Sequence, residues 1–164
     1  LISIILPARD EAAALRDLLP RLRSAQPDAE IIVSDDGSRD DTAALCAAHG
    51  VRRVAAPYGM GNGAAIKRGA RAASSEVLVF MDADGQHDPA DIARLLARLD
   101  EGYDMVVGAR SWSGQAGVHR GLANAFYNRL ASWMTGHAVL DLTSGFRVVR
   151  AARFREFLYL LPNG

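Results

Sequence analysis

Two aspartates one residue apart, Asp82 and Asp84, follow directly on the apolar run Val77–Met81, and Gln86 stands two residues further on. In extended backbone, residues i and i+2 share a face, so both carboxylates can converge on one hard cation at a strand end. The Gln86 amide oxygen is close enough to join them. An all-oxygen set suits Mg²⁺ or Mn²⁺ held jointly with substrate phosphates, because Mg²⁺ keeps an incomplete protein cage. A polar turn after a buried strand would use the same residues. What favours chemistry is a second acidic strand end, Ser34-Asp35-Asp36-Gly37-Ser38 after Ile31-Ile32-Val33. A third strand, Ile2–Leu6, ends in Pro7-Ala8-Arg9-Asp10-Glu11. Open parallel sheets bind ligands beyond the carboxyl ends of their strands, where all three clusters would lie. A carboxylate such as Asp36 can there accept hydrogen bonds from a nucleobase or ribose, and Asp35 either does the same or turns the chain.

Cations for a phosphate are present as well. Gly59-Met60-Gly61-Asn62-Gly63 lacks the Gly-Lys-Ser/Thr ending of a P-loop and is not G-x-G-x-x-G. Lys67 follows it and could reach a phosphate near the start of the next helix, although a solvated helix face explains Lys67 and Arg68 equally well. Guanidinium binds phosphate bidentately, which singles out Arg110 at the end of Met105-Val106-Val107, and also Arg120 and Arg147. Structural salt bridges are the competing explanation for each. Asp141-Leu142-Thr143-Ser144-Gly145-Phe146-Arg147 gathers an acid, two hydroxyls, a glycine and an arginine. Asp141, Ser144 and Arg147 would suit an acceptor site, and a capped turn would look the same. The histidines have no metal-motif spacing, and His87 alone stands near the acidic pair.

These residues need a frame, and the chain alternates strand and helix to supply it. Strands at 2–6, 31–34, 51–55, 76–81 and 103–109 alternate with helices near 10–24, 39–49, 64–73 and 89–100. Pro20 is expected to kink or divide the first helix, and Ser38 to cap the second with Asp40 and Asp41 in its first turn. Beyond residue 110 the regularity breaks. A helix at 120–136, a strand at 143–149 and a last helix at 151–160 are expected. The stripe Leu122, Phe126, Leu130, Trp133 and Met134 suits a core, or an interfacial helix lying on a membrane. Repeated strand–helix units predict an α/β fold, a Rossmann-like, mostly parallel sheet with helices on both faces. With 164 residues and 49% apolar content, one domain spanning 1–164 can build a proper core. A formal net charge of zero argues against a nucleic-acid partner. The single Cys46 cannot form an internal disulfide and reads as a buried thiol. No apolar run approaches the length of a membrane span. The chain starts inside a strand without Met and stops at a turn signal, as expected of a piece truncated at both ends.

Five motifs in this order resemble family 2 glycosyltransferases of the GT-A fold: Ile5-Leu6-Pro7-Ala8-Arg9-Asp10-Glu11, Val33-Ser34-Asp35-Asp36-Gly37-Ser38, Gly61-Asn62-Gly63-Ala64-Ala65-Ile66-Lys67, Met81-Asp82-Ala83-Asp84-Gly85-Gln86-His87 and Thr143-Ser144-Gly145-Phe146-Arg147. The resemblance is nearest to the dolichyl- and polyprenyl-phosphate branch typified by dolichol-phosphate mannose synthase. It implies inverting, metal-dependent transfer of a sugar from a GDP- or UDP-sugar to a lipid phosphate at the cytoplasmic face of a membrane. By position, Pro7, Ala8, Glu11 and Asp36 would bind the nucleoside, and Asp82, Asp84 and Gln86 the Mg²⁺ or Mn²⁺ and diphosphate. Arg110 and Arg120 would contact the phosphates, with Ser144 and Arg147 towards the acceptor. The Gln-x-x-Arg-Trp motif of processive synthases is absent from the chain, which counts against a polymer product. Transfer to a sugar hydroxyl, with Asp84 or Asp141 as base, a nucleotidyltransferase and a non-catalytic nucleotide-sugar-binding module are the alternatives.

Overall fold

The computed structural model describes residues 1–108 and 144–163. In chain order it contains β1 (Ile2–Ala8), α1 (Ala12–Ala25), β2 (Glu30–Asp35), α2 (Thr42–Ala48), β3 (Arg52–Ala55), α3 (Asn62–Ala72), β4 (Val77–Phe80), α4 (Asp91–Asp100), β5 (Met105–Val107), β6 (Arg147–Arg150) and α5 (Ala151–Phe157), with a 3₁₀ turn at Leu158–Leu160. The central strands are apolar on both faces. Ile4 and Leu6 enter one core and Ile5 the other, and the same period of two separates Ile31 and Val33 from Ile32, and Val79 from Leu78 and Phe80. Such strands need cover on both sides. On one face α1 contributes Leu15, Leu18, Leu19 and Leu22, and α4 contributes Ile92, Leu95 and Leu99. On the other, Ala70 of α3 packs with Phe154 and Leu158.

The sheet order is β3-β2-β1-β4-β6-β5. β1 pairs in parallel with β2 and β4, and β2 with β3, which bears out the α/β, mostly parallel expectation. The departure is β6, which lies antiparallel between β4 and β5. Strand–helix alternation carries no sign of this, because β6 follows the irregular second part of the sequence.

Several boundaries also differ from expectation. α1 runs unbroken through Pro20, which is exposed together with Arg16, so water can serve the carbonyl that the proline leaves unpaired. Ser38 does not cap α2, which starts at Thr42. Its hydroxyl instead accepts the Asp10 N–H, and Asp40 accepts the N–H and hydroxyl of Thr42. The last strand starts at Arg147 rather than 143, and the last helix gives way to the 3₁₀ turn after Phe157. Cys46 is buried in α2 as expected, and burial pushes its thiol pKa up. The expected helix at 120–136 lies outside the described residues.

Candidate active site

From β1 the chain order runs outward to β2 and β3 on one side and to β4 on the other. The switch point therefore falls between β1 and β4, where an open α/β sheet forms its crevice. Ala8 ends in register with Asp35, whereas β4 stops sooner, with Phe80 opposite Ile5. The Met81 N–H makes one more bond, to the Ile5 carbonyl at 3.1 Å, before the chain leaves the sheet. Asp82 is the next residue.

At the end of β2 the two aspartates part company. Asp35 is fully buried; it accepts the Ser38 N–H at 2.8 Å and holds Arg53 through Nε at 2.7 Å and Nη2 at 2.6 Å. Burial pushes this carboxyl up, but the hydrogen bonds from Ser38 and the Arg53 guanidinium outweigh it and hold the pKa below the usual 3.8. Asp35 thus turns the chain. Asp36 reaches the other way and accepts the N–H groups of Met60 at 2.9 Å and Gly61 at 2.8 Å, with the Arg68 guanidinium 3.6 Å away. It anchors the loop before α3. A carboxylate offers about four lone-pair sites, so acceptor capacity remains for a nucleoside.

The end of β1 is stitched to this loop system. Asp10 adopts a left-handed φ of 56°, which Asp tolerates better than most residues, and its Oδ1 accepts the Arg39 N–H at 2.7 Å. Asp40 accepts the Ala12 N–H at 2.8 Å. Pro7 and Glu11 are partly exposed and Ala8 is buried, so the first two present surface at the strand end. Arg9 lies against Gly59 so closely that a Cβ there would overlap its guanidinium. Lys67 goes elsewhere: its ammonium donates to the Leu161 carbonyl at 3.0 Å and to Asn163 Oδ1. The Ala64 N–H at the start of α3 is taken by the Asn163 carbonyl at 3.1 Å. The last described residues thus engage both the Lys67 ammonium and one N–H at the start of α3.

The acidic pair sits in a turn rather than on extended strand. Ala83 is buried, while Asp82 is partly exposed and Asp84 exposed, so the inward-facing alanine leaves both carboxylates outside the core. Asp84 accepts the Gln86 N–H at 3.0 Å, with Gly85 at φ 75° completing the turn. Among the described residues no group of three or more His, Cys, Asp or Glu side chains gathers into a closed metal cage. Two carboxylates and the exposed Gln86 amide fit instead a hard cation that completes its shell with phosphate oxygens and water.

Against this turn lies the segment Ser144–Arg147. Ser144 is buried with its hydroxyl accepting the Phe146 N–H at 3.2 Å, and Arg147 Nε donates to the Ser144 carbonyl at 2.8 Å. The Phe146 ring packs on His87 with centroids 5.0 Å apart. Gly145 abuts Asp82 itself, since a Cβ there would overlap the carboxylate. Donor-side and acceptor-side candidates are thus in contact. Arg110, Arg120 and Asp141 lie outside the described residues. By sequence Arg68 reads as a solvated side chain, and spacing carries no signal of its place beside Asp36. The closeness of Gly145 to Asp82 was equally hidden, although both stand in recognised motifs.

Residues 3–158 match the model for Glycosyl transferase family 2. The chain is 34% identical over 159 residues to undecaprenyl-phosphate 4-deoxy-4-formamido-L-arabinose transferase of Klebsiella pneumoniae, covering 91% of this chain and 48% of that protein. It is 32% identical over 169 residues to polyprenol monophosphomannose synthase of Mycolicibacterium smegmatis, covering 90% and 60%. The chain spans about half the length of such relatives. Among solved structures, glucosyl-3-phosphoglycerate synthase of Mycobacterium tuberculosis, in complex with Mn²⁺ and UDP-glucose, aligns at a TM-score of 0.74 and 27% identity over 92% of this chain and 56% of that one.

Proposed function

The chain belongs to glycosyl transferase family 2 and carries the GT-A α/β fold; on that premise we propose that it transfers a sugar, with inversion, from a GDP- or UDP-sugar to a polyprenyl phosphate. The observation that carries this reading is the partly exposed Asp82 at the switch point between β1 and β4, with the Ser144–Arg147 turn laid against it. Two relatives named for undecaprenyl phosphate and polyprenol support the acceptor class. In this reading residues 1–164 form one catalytic domain. It would work at the cytoplasmic face of a membrane, peripherally or held by segments outside this chain. Among the described residues no helix is long and apolar enough to cross a membrane.

Pro7, Ala8, Glu11 and Asp36 would receive the nucleoside, with Asp36 doing so while it holds the loop at Met60–Gly61. Asp82, Asp84 and Gln86 would hold Mg²⁺ or Mn²⁺, which when bound offsets the charge that grows on the departing diphosphate. Arg110 and Arg120, with Lys67 if it exchanges its partners in the last residues, would bind phosphate oxygens. Asp141, Ser144 and Arg147 would face the acceptor. A lipid phosphate oxygen attacks the anomeric carbon, the bond from that carbon to the diphosphate breaks, and the nucleoside diphosphate leaves with the electron pair. A phosphate monoester has a second pKa of about 6 and is largely ionised at neutral pH, so no protein base has to take a proton. Orientation and electrostatics supply the acceleration.

Calorimetric titration of GDP and UDP, each with Mn²⁺ and with metal chelated, tests the donor half. The expected result is metal-dependent binding of one nucleotide that Asp82→Asn abolishes; undiminished binding by that variant overturns the assignment. The likeness to glucosyl-3-phosphoglycerate synthase favours a second reading, transfer to a hydroxyl. Product analysis separates the two, because a glycosyl phosphate is released by mild acid and a glycoside is not.

A further inference from the structure

We infer that Gly145 is a positioning residue for the Asp82 carboxylate, its missing side chain forming the seat in which that carboxylate lies. The inference rests on the donor-site reading above. Strands β4 and β6 pair antiparallel with Phe80 opposite Arg147 and Val79 opposite Val148. Continuing that register two residues past Phe80 brings Gly145 opposite Asp82. A Cβ built on Gly145 falls within 3.0 Å of Cγ and of both carboxylate oxygens, an approach that real Cβ atoms essentially never make. Gly145 is not among the glycines with positive φ. An alanine would therefore meet no backbone strain, and space beside Asp82 is what requires glycine here.

The turn carrying Gly145 is held on both sides, so it has little room to retreat. Ser144 is fully buried and accepts the Phe146 N–H. Arg147 Nε grips the Ser144 carbonyl at 2.8 Å. Phe146 is 3% exposed, and its carbonyl accepts the Gly108 N–H at 2.9 Å. The groups that a Cβ at 145 would meet first are Cγ and the two oxygens of Asp82, so the carboxylate takes the pressure of any added side chain. A side chain at 145 would thus crowd the carboxylate that, in the donor-site reading, faces cation and diphosphate. Gly145 would act through Asp82, without touching either ligand.

The test is Mn²⁺-dependent binding of GDP or UDP, measured by calorimetry on wild type, Asp82→Asn and Gly145→Ala, with a thermal melt of each. Gly145→Ala is expected to weaken metal-dependent binding about 10–100-fold, as loss of an orienting contact does at metal sites. Wild-type affinity in Gly145→Ala would overturn the inference and leave the donor site standing. Full binding by Asp82→Asn would instead remove the donor-site reading, and the inference with it. If Gly145→Ala does not fold, Asp82→Ala in the same background should relieve the overlap and restore the melt; no recovery overturns the inference.

Discussion

Consecutive residues at the end of β2 face opposite ways, which separates the duties of Asp35 and Asp36. Asp36→Ala would leave the Met60 and Gly61 N–H groups without their acceptor and Arg68 without its carboxylate. Urea denaturation is expected to show a loss of about 1–3 kcal/mol, the cost of polar groups deprived of partners. Nucleotide affinity should fall with it, because the freed loop borders the crevice. Asp35 contributes to acid stability. Its folded pKa is depressed, so its contribution is complete above the ordinary value of 3.8 and is lost as pH falls through the folded value. Glu30 and Asp40, where hydrogen bonds likewise outweigh burial, act in the same sense. The urea midpoint should therefore drop as pH is lowered from 5 to 3, and Arg53→Gln should make that drop shallower. The types and positions of Asp36, Asp82 and Asp84 were legible in sequence. Their partners were not, because Met60, Arg68 and Gly145 are brought to them by the fold.

At the level of elements, the four strand–helix units from β1 to α4 followed from period-two burial and turn residues, with ends displaced by a few positions. The displacements have local causes. Asp35 takes the Ser38 N–H, so the chain completes a turn before α2 begins, and Gly37 at φ 79° lets that turn pass beneath the main chain of Tyr58. Helix α3 shows how packing overrides propensity. Alanine normally improves a helix over glycine by about 1 kcal/mol. At Gly69, however, a Cβ would overlap Ile5 Cγ2, part of a buried, β-branched side chain that cannot swing aside. Gly69→Ala is therefore expected to destabilise by about 1–2 kcal/mol in chemical denaturation, with overpacking outweighing the helical gain. A neutral or stabilised variant would show that α3 can lift from the sheet. The placement of β6 between β4 and β5 had no sequence counterpart, since both orders bury the same alternation.

Across the whole molecule, one sheet with two cores holds three loops at its carboxyl edge, and β6 returns antiparallel so that its entry turn lands on the acidic pair. This return joins the second part of the chain to the donor side and makes the crevice two-sided. Composition and period determined by themselves that the chain is α/β, that its central strands are covered on both faces and that its acids gather at strand ends, because hydrophobic alternation and turn chemistry are local properties. The five motifs, read in order, pointed to the family that residues 3–158 match. Tertiary structure alone decided which aspartate is buried with Arg53 and which anchors a loop, where Lys67 spends its charge, and that Gly145 lies on Asp82. Those are contacts between segments far apart in the chain, set by strand order and register, and side-chain type alone carries no record of either.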